Sequence, residues 1–222
     1  MEFLTQAEEN YLKAVFKITE NEYKVASTNA IAAMMNTSAA SVTDMLKRLA
    51  SKGLLIYEKH RGVMLSERGG ELATNLVRRH RLWEVFLVKK LNFSWDKVHD
   101  IAEQLEHVQS EELVERLDAF LGRPKFDPHG DPIPDANGKM EQRNQFLLSA
   151  FEVGEQGVLV GVLESTASFL QYLDKLRLSL GTKLRVLERF DYDGSLKVAP
   201  NEDDPITLSH KVCENLFLQK SK

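Results

Sequence analysis

Ser38-Ala39-Ala40-Ser41-Val42-Thr43-Asp44-Met45-Leu46-Lys47-Arg48-Leu49-Ala50-Ser51-Lys52-Gly53 reads as a helix that begins on a hydroxyl cap and stops at a glycine, the residue best suited to the left-handed position after a helix. Immediately before it, a helix over about 28–35 carries Ile31, Ala32 and Met35, with Ser27 or Thr28 as its cap and Asn36-Thr37 as the turn. Immediately after it, Leu54–Lys59 and Val63–Ser66 read as two strands around His60-Arg61-Gly62. Helix, tight turn, second helix and basic hairpin, in that order, predict a winged helix-turn-helix. The front of the second helix offers Ser38, Ala39, Ser41, Thr43 and Asp44, followed by Lys47 and Arg48. Small hydroxyls and an alanine can approach base edges and thymine methyls, while lysine and arginine suit phosphates or guanine. Lys59 and Arg61 at the hairpin tip are the corresponding wing contacts.

The charge distribution agrees. The whole chain of 222 residues has a formal net charge of −4, which by itself argues against a polyanionic partner. Residues 37–90, however, hold 11 Lys and Arg against five acids, a local +6 beside −10 for the remainder. Such asymmetry is a candidate electrostatic footprint for a polyanion, and with the winged-helix order the expected partner is double-stranded DNA. An apolar content of 43% describes a globular chain. No run of about 18 apolar residues exists, and the N-terminus lacks the basic and apolar regions of a secretory signal. The single cysteine, Cys213, excludes an intramolecular disulfide and cysteine-rich zinc or iron–sulfur sites. Together these predict a cytoplasmic protein with no membrane association.

Working outward, residues 5–19 read as a helix in which Thr5 and Glu8 form a capping box and Leu12, Val15, Phe16 and Ile18 are apolar. On the other side, Glu67 to about Leu91 reads as one long helix with His80 and Glu84 four residues apart, able to reach one ion. Its apolar Trp83, Phe86, Leu87, Val88 and Leu91 exceed the needs of a small domain, and a homodimer interface is the natural use.

A further helix is expected from Ser94-Trp95-Asp96 to Val108. At about 100° per residue, His99, Glu103, Glu106 and His107 share one narrow face, and Val98, Ile101, Leu105 and Val108 gather opposite. A solvated charged face would interleave cations, yet no Lys or Arg lies between Lys97 and Arg116. A divalent metal ion would relieve the repulsion instead. Another helix starts at Ser110 and is stopped by Gly122 and Pro124. Residues 126–144 read as a Pro-, Gly- and Asp-rich linker. Short strands at Val158–Glu164, Leu184–Phe190, Ser195–Ala199 and Ile206–His210, with a helix around Ala167–Leu178, predict a small β-barrel. The expected organisation is therefore a winged-helix domain over 1–66, a helical metal-binding and dimerisation domain over 67–125, the linker, and the barrel over 145–222. The class is mainly α.

Glu9-Asn10-Tyr11-Leu12, Arg79-His80-Arg81-Leu82-Trp83-Glu84, Val98-His99-Asp100 with Glu106-His107-Val108, and His129-Gly130-Asp131-Pro132-Ile133-Pro134 resemble the diphtheria toxin repressor family of metal-dependent transcription regulators, over nearly the whole chain. The resemblance implies a barrel like a Src-homology fold or an iron-transport accessory domain. It implies that His80, Glu84 and His99 are ancillary metal ligands, and that Asn10, Glu103, Glu106 and His107 form the primary set. Glu103 stands where manganese-sensing members have glutamate and iron-sensing members cysteine, and a hard carboxylate favours Mn²⁺ over softer ions, with Fe²⁺ next. Asn10 stands where those branches have Asp or Met, and Lys13 where some manganese sensors have a second carboxylate. Ser165 and Ser168 replace barrel ligands of the iron branch, with Glu164 adjacent. The implied function is a homodimeric repressor that binds its operator when metal is present and controls metal uptake. Two rivals are a carboxylate-bridged metalloenzyme, which would need paired Glu-x-x-His motifs that this chain lacks, and a winged-helix regulator answering another ligand.

Overall fold

The computed structural model describes residues 4–21, 25–58 and 62–221, and the chain divides into two compact units. The first comprises Met1–His80, Gln104–Glu115 and Pro134–Lys139; the second comprises Arg81–Glu103, Arg116–Ile133 and Met140–Lys222.

The first unit holds the winged helix. Helix α1 (Gln6–Asn21) opens on the expected capping box, since the Thr5 amide donates to Glu8 Oε2 at 2.9 Å and the Glu8 amide to Thr5 Oγ1 at 3.3 Å. Helix α2 (Thr28–Met34) is capped by Ser27, and α3 (Ala39–Ser51) by Ser38, whose hydroxyl accepts from the Ser41 amide. Gly53 follows α3 with φ +70, the left-handed value that a Cβ would oppose. Strands β1 (Leu55–Glu58) and β2 (Gly62–Leu65) pair antiparallel in the register Leu55↔Leu65 to Glu58↔Gly62. Ala26 adds a further rung by exchanging two backbone hydrogen bonds with Val63. The three helices and this sheet enclose Leu12, Val15, Ile31, Val42, Leu46, Leu49, Leu54 and Val63, all with at most 1% exposure. The wing residues Lys59 and Arg61 lie outside the described residues.

Helix α4 (Glu67–Leu91) matches the expected long helix. Its neighbour α5 (His99–Leu105) is shorter than expected. Glu106 and His107 fall in the turn after it, so the shared face drawn for His99, Glu103, Glu106 and His107 does not extend past Leu105. The burial pattern departs accordingly: Glu106 is wholly buried, whereas Val108 is 43% exposed. Helix α6 (Glu111–Phe120) ends at the expected Gly122. Leu87, expected at an interface, is a core residue packed with Val98 and Ala102.

In the second unit six antiparallel strands follow. They are β3 (Phe146–Leu147), β4 (Gln156–Val162), β5 (Lys183–Arg189), β6 (Leu196–Pro200), β7 (Ile206–Leu208) and β8 (Leu216–Lys220), in the order β3-β8-β4-β5-β6-β7. Helices α7 (Ala167–Lys175) and α8 (His210–Cys213) complete this small β domain around a core that includes Phe151, Leu159, Leu170, Leu184, Val198 and Leu218. Strands β3 and β8 escaped the sequence reading. The chain after Leu208 does not continue as strand because Ser209 caps α8, its hydroxyl accepting from the Val212 amide.

Glu8 does more than cap α1. Its buried carboxylate takes Arg48 Nε and Lys52 Nζ of the α3 end, each at 2.8 Å. Burial pushes its pKa up, but the Lys52 and Thr5 hydrogen bonds and the two cations outweigh that and hold it below the usual value. A depressed carboxyl stabilises the fold fully above the ordinary glutamate value of about 4.3 and ceases to as the pH falls through its native value. Glu8→Gln is therefore expected to cost about 1–3 kcal/mol at neutral pH. Urea unfolding at pH 7 and at about pH 3 checks this: the difference between parent and variant should shrink in acid, and an equal difference at both would contradict it.

Candidate metal centre and nucleic-acid interface

Glu84 lies on α4 with its carboxylate 2% exposed, and an isolated carboxylate so buried would be costly. Two imidazoles of the second unit face it. His99 Nδ1 is 3.2 Å from Oε1, and His129 Nδ1 is 3.5 Å from Oε2. Asp127 joins the His129 side: one ligand atom each from Glu84, Asp127 and His129 lies within 4.8 Å of the others. Glu103 sits beside His99, with 3.6 Å between carboxylate and Nε2.

The loop that carries Asp127 and His129 is built to hold them. Asp127 accepts the amides of His129 (2.8 Å) and Asp131 (3.0 Å). Arg81, one turn before Val85 on α4, donates to the Pro132 carbonyl at 2.5 Å and stands 3.8 Å from the Asp127 carboxylate. The Val162 amide of β4 donates to the His129 carbonyl at 3.0 Å. Trp95 stacks on the His129 ring with centroids 6.1 Å apart.

His129 Nε2 lies 2.9 Å from the Trp95 carbonyl. A carbonyl only accepts, so Nε2 carries the proton and Nδ1 is the atom turned toward Glu84. Such an outer hydrogen bond fixes the tautomer of a metal-ligating histidine. Burial lowers the His129 pKa, but the Glu84 hydrogen bond and the charges of Glu84 and Asp127 prevail and raise it to about 9. Burial, Asp131 and Glu84 raise the Asp127 carboxyl to about 7. Both shifts describe a pocket crowded with carboxylates, where a divalent cation can replace a proton. Oxygen and nitrogen donors with no thiolate fit a hard or borderline ion; Cys213 is buried in the β-domain core, its thiol pushed up to about 11.

The remaining expected ligands gather in the first unit around different partners. Glu106 Oε1 takes Lys13 Nζ at 2.6 Å and Oε2 takes His80 Nδ1 at 2.5 Å. Burial raises the Glu106 pKa, but the His80 hydrogen bond and the Lys13 charge win and keep it depressed. His107 Nδ1 meets Glu9 Oε2 at 2.5 Å, and Glu9 Oε1 accepts from Gln109 at 3.2 Å. Asn10 Oδ1 is buried without a hydrogen bond.

On α3, Ser38, Ala39, Ser41, Asp44, Lys47 and Arg48 are exposed and Thr43 is half-buried, its hydroxyl donating to the Ala39 carbonyl. The opposite face buries Val42, Leu46 and Leu49. Arg48 spends its guanidinium on Glu8 and so helps to fasten α3 to α1, a role that sequence alone did not suggest. Ser38 spends its hydroxyl on the cap. Sequence reasoning placed Lys13 at a family ligand position but missed its pairing with Glu106, and it missed Glu9, Asp127 and His129 as parts of these clusters. The available signal was the spacing Asp127-x-His129-x-Asp131 within a Pro/Gly loop, which places acids and an imidazole on a short tight turn.

A winged helix with an exposed second helix and a carboxylate–imidazole cluster define a class: a DNA-binding protein equipped to take a metal ion. Comparison with known proteins agrees. Residues 3–63 match the iron-dependent repressor N-terminal DNA-binding domain, 66–135 the iron-dependent repressor metal-binding and dimerisation domain, and 146–220 the FeoA domain. The chain belongs to the iron-dependent repressor family. It is 33% identical over 141 residues to the diphtheria toxin repressor of Corynebacterium jeikeium, a match covering 64% of this chain and 58% of that protein. It is 34% identical over 134 residues to the iron-dependent repressor IdeR of Mycobacterium bovis, covering 60% and 58%. The matched region thus spans less than two thirds of these curated relatives. A solved manganese-dependent transcriptional repressor in complex with manganese superposes with a TM-score of 0.87 at 34% identity, covering 96% of this chain and 100% of that one.

Gly130 sets the geometry of the loop. Its φ is +94, and a Cβ there would stand 2.2 Å from the Val160 carbonyl oxygen of β4. Strain and overpacking of about 1–3 kcal/mol each predict that Gly130→Ala loses about 2–6 kcal/mol of stability and displaces His129. Thermal unfolding with and without Mn²⁺ measures both effects. Unchanged stability with unchanged metal-induced stabilisation would contradict this account of the loop.

Proposed function

We propose that the protein is a homodimeric, metal-dependent transcriptional repressor that binds a double-stranded DNA operator in response to Mn²⁺ or Fe²⁺. The observation that carries the reading is Glu84 set between the Nδ1 atoms of His99 and His129, with Asp127 in reach, in a chain that also presents the polar face of α3. Glu84, His99, Asp127 and His129 are the proposed ligands. His80 is left out because its Nδ1 is on Glu106 Oε2. Glu103, beside His99, supports a hard ion, and manganese is the favoured one. Glu106, His107 and Asn10 are left out of this set because Lys13, His80 and Glu9 already engage the first two. A metal ion held by these residues would supply the positive charge that the carboxylates lack, and the chain's own part is to hold His129 in one tautomer and Asp127 on its loop.

Ser41, Thr43 and Ala39 are proposed to face bases, Lys47 the phosphates, and Lys59 and Arg61 the backbone beside the wing. The genes proposed to be controlled are those for metal uptake, since a repressor active in metal excess shuts a supply no longer needed. The family consists of repressors rather than enzymes, and no helix of the described residues is long and apolar enough to cross a membrane.

Homodimer formation is proposed on an aromatic face of the second unit. Trp83 and Phe86 meet edge to face, Phe86 lies 6.5 Å from Phe120, and Phe120 and Leu91 are 63% and 52% exposed. Phe120→Asp should shift sedimentation from dimer toward monomer; a dimer unaffected at micromolar concentration would place the interface elsewhere.

Gel retention of operator DNA under anaerobic conditions tests the central reading. The parent should be retained with Mn²⁺ or Fe²⁺ and released by chelator. Glu84→Gln and His129→Ala should each lower the apparent affinity at limiting metal by at least about 10- to 100-fold, the cost of losing even a partner that only orients a ligand. Retention that ignores both chelator and these substitutions would overturn the proposal.

A further inference from the structure

The family implies a second metal site on residues of the first unit, and the side chains there do not fit one. Glu106 is completely buried with one carboxylate oxygen on Lys13 and the other on His80. His107 turns its Nδ1 to Glu9, whose other oxygen accepts from Gln109 and lies 3.4 Å from Arg79. Asn10 contributes a single neutral oxygen, and one such donor does not make a site. Charge weighs against it as well. Among the described residues, the buried carboxylates Glu9 and Glu106 already face the cations Lys13 and Arg79, whose side chains are 6% and 15% exposed. A divalent ion added here would bring two more positive charges into a place shut off from water. It would also have to share Glu106 with an ammonium 2.6 Å away. Unlike a surface lysine, Lys13 is itself buried, 5% exposed on α1.

We infer that Lys13 is a resident cation: its ammonium takes the place of a metal ion between α1 and residues 104–109, so that this contact is made without metal and the segment adds no second ion to the chain. A metal ion between these elements would come and go with supply, whereas a lysine is permanent. The α1 tether is therefore always on, and metal sensing is confined to the Glu84 cluster. The inference rests on the proposed metal response only for the count at Glu84.

Counting bound Mn²⁺ on the full chain, by loss of the free-ion electron paramagnetic resonance signal, tests it. The parent should bind one ion per chain, His129→Ala should lose it, and Glu106→Gln should leave the count unchanged. Lys13→Glu, which converts the ammonium into a fourth donor beside Glu106, His107 and Asn10, should gain one ion. As a separate readout, Lys13→Met should lower the melting temperature in chelator by roughly 5–15 °C, because it leaves Glu106 one cation short. A parent that binds two ions and loses one in Glu106→Gln would overturn the inference, as would a folded Lys13→Glu variant, by circular dichroism, that gains none. A parent that binds no ion while Lys13→Glu binds one would uphold it and sink the Glu84 reading instead.

Discussion

A carboxylate removed from water must be given positive charge or hydrogen bonds, and Glu84 and Glu106 meet that constraint in opposite ways. Glu84, 2% exposed, is flanked by imidazoles, whose nitrogen lone pairs can serve a proton or a metal ion equally. Glu106, wholly buried, is met by a lysine ammonium as well as an imidazole, and an ammonium has no lone pair to give. The first arrangement is exchangeable and can respond to the surroundings; the second is permanent. Much else is arranged to support these two sites. Arg81 and β4 steady the loop that brings His129, and Trp95 both stacks on that ring and fixes its tautomer.

The same constraint explains what the sequence did and did not disclose. Local signals were reliable where the chemistry is local. Thr5 and Glu8 announced a capping box and form one, and Ser38 and Gly53 bounded the helix that they cap and end. Non-local pairings were hidden. A helical wheel put His99, Glu103, Glu106 and His107 on one face, but α5 ends at Leu105, and the last two residues turn into a different cluster. Lys13 was visible as a departure from the family pattern, yet its partner lies 93 residues away. His129 was visible within a distinctive loop, but the loop's composition reads as a connector. Only its backbone hydrogen bond to β4 and its contacts with Arg81 reveal a fixed support. Strand β8 was lost because a four-residue helix separates it from β7, erasing the strand periodicity that would have announced it.

In the winged helix, the charge reading also sharpens. The cluster of basic residues that marked the region for DNA is not all available to it. Arg48 and Lys52 neutralise Glu8 and hold α3 against α1, leaving Lys47 as the exposed cation of α3 whose pairing is a weak surface one, 3.9 Å from Asp44. Positive charge thus serves two ends: part of it holds α3 against α1, and part stays exposed on α3.

The account stands or falls on where a metal ion goes. An anomalous-difference map from crystals grown with Mn²⁺, recorded at the manganese absorption edge, answers this directly. One peak per chain, contacted by Glu84 and His129 with Lys13 still on Glu106, is the predicted result. A peak between Glu106 and His107 with the Lys13 side chain displaced would contradict it.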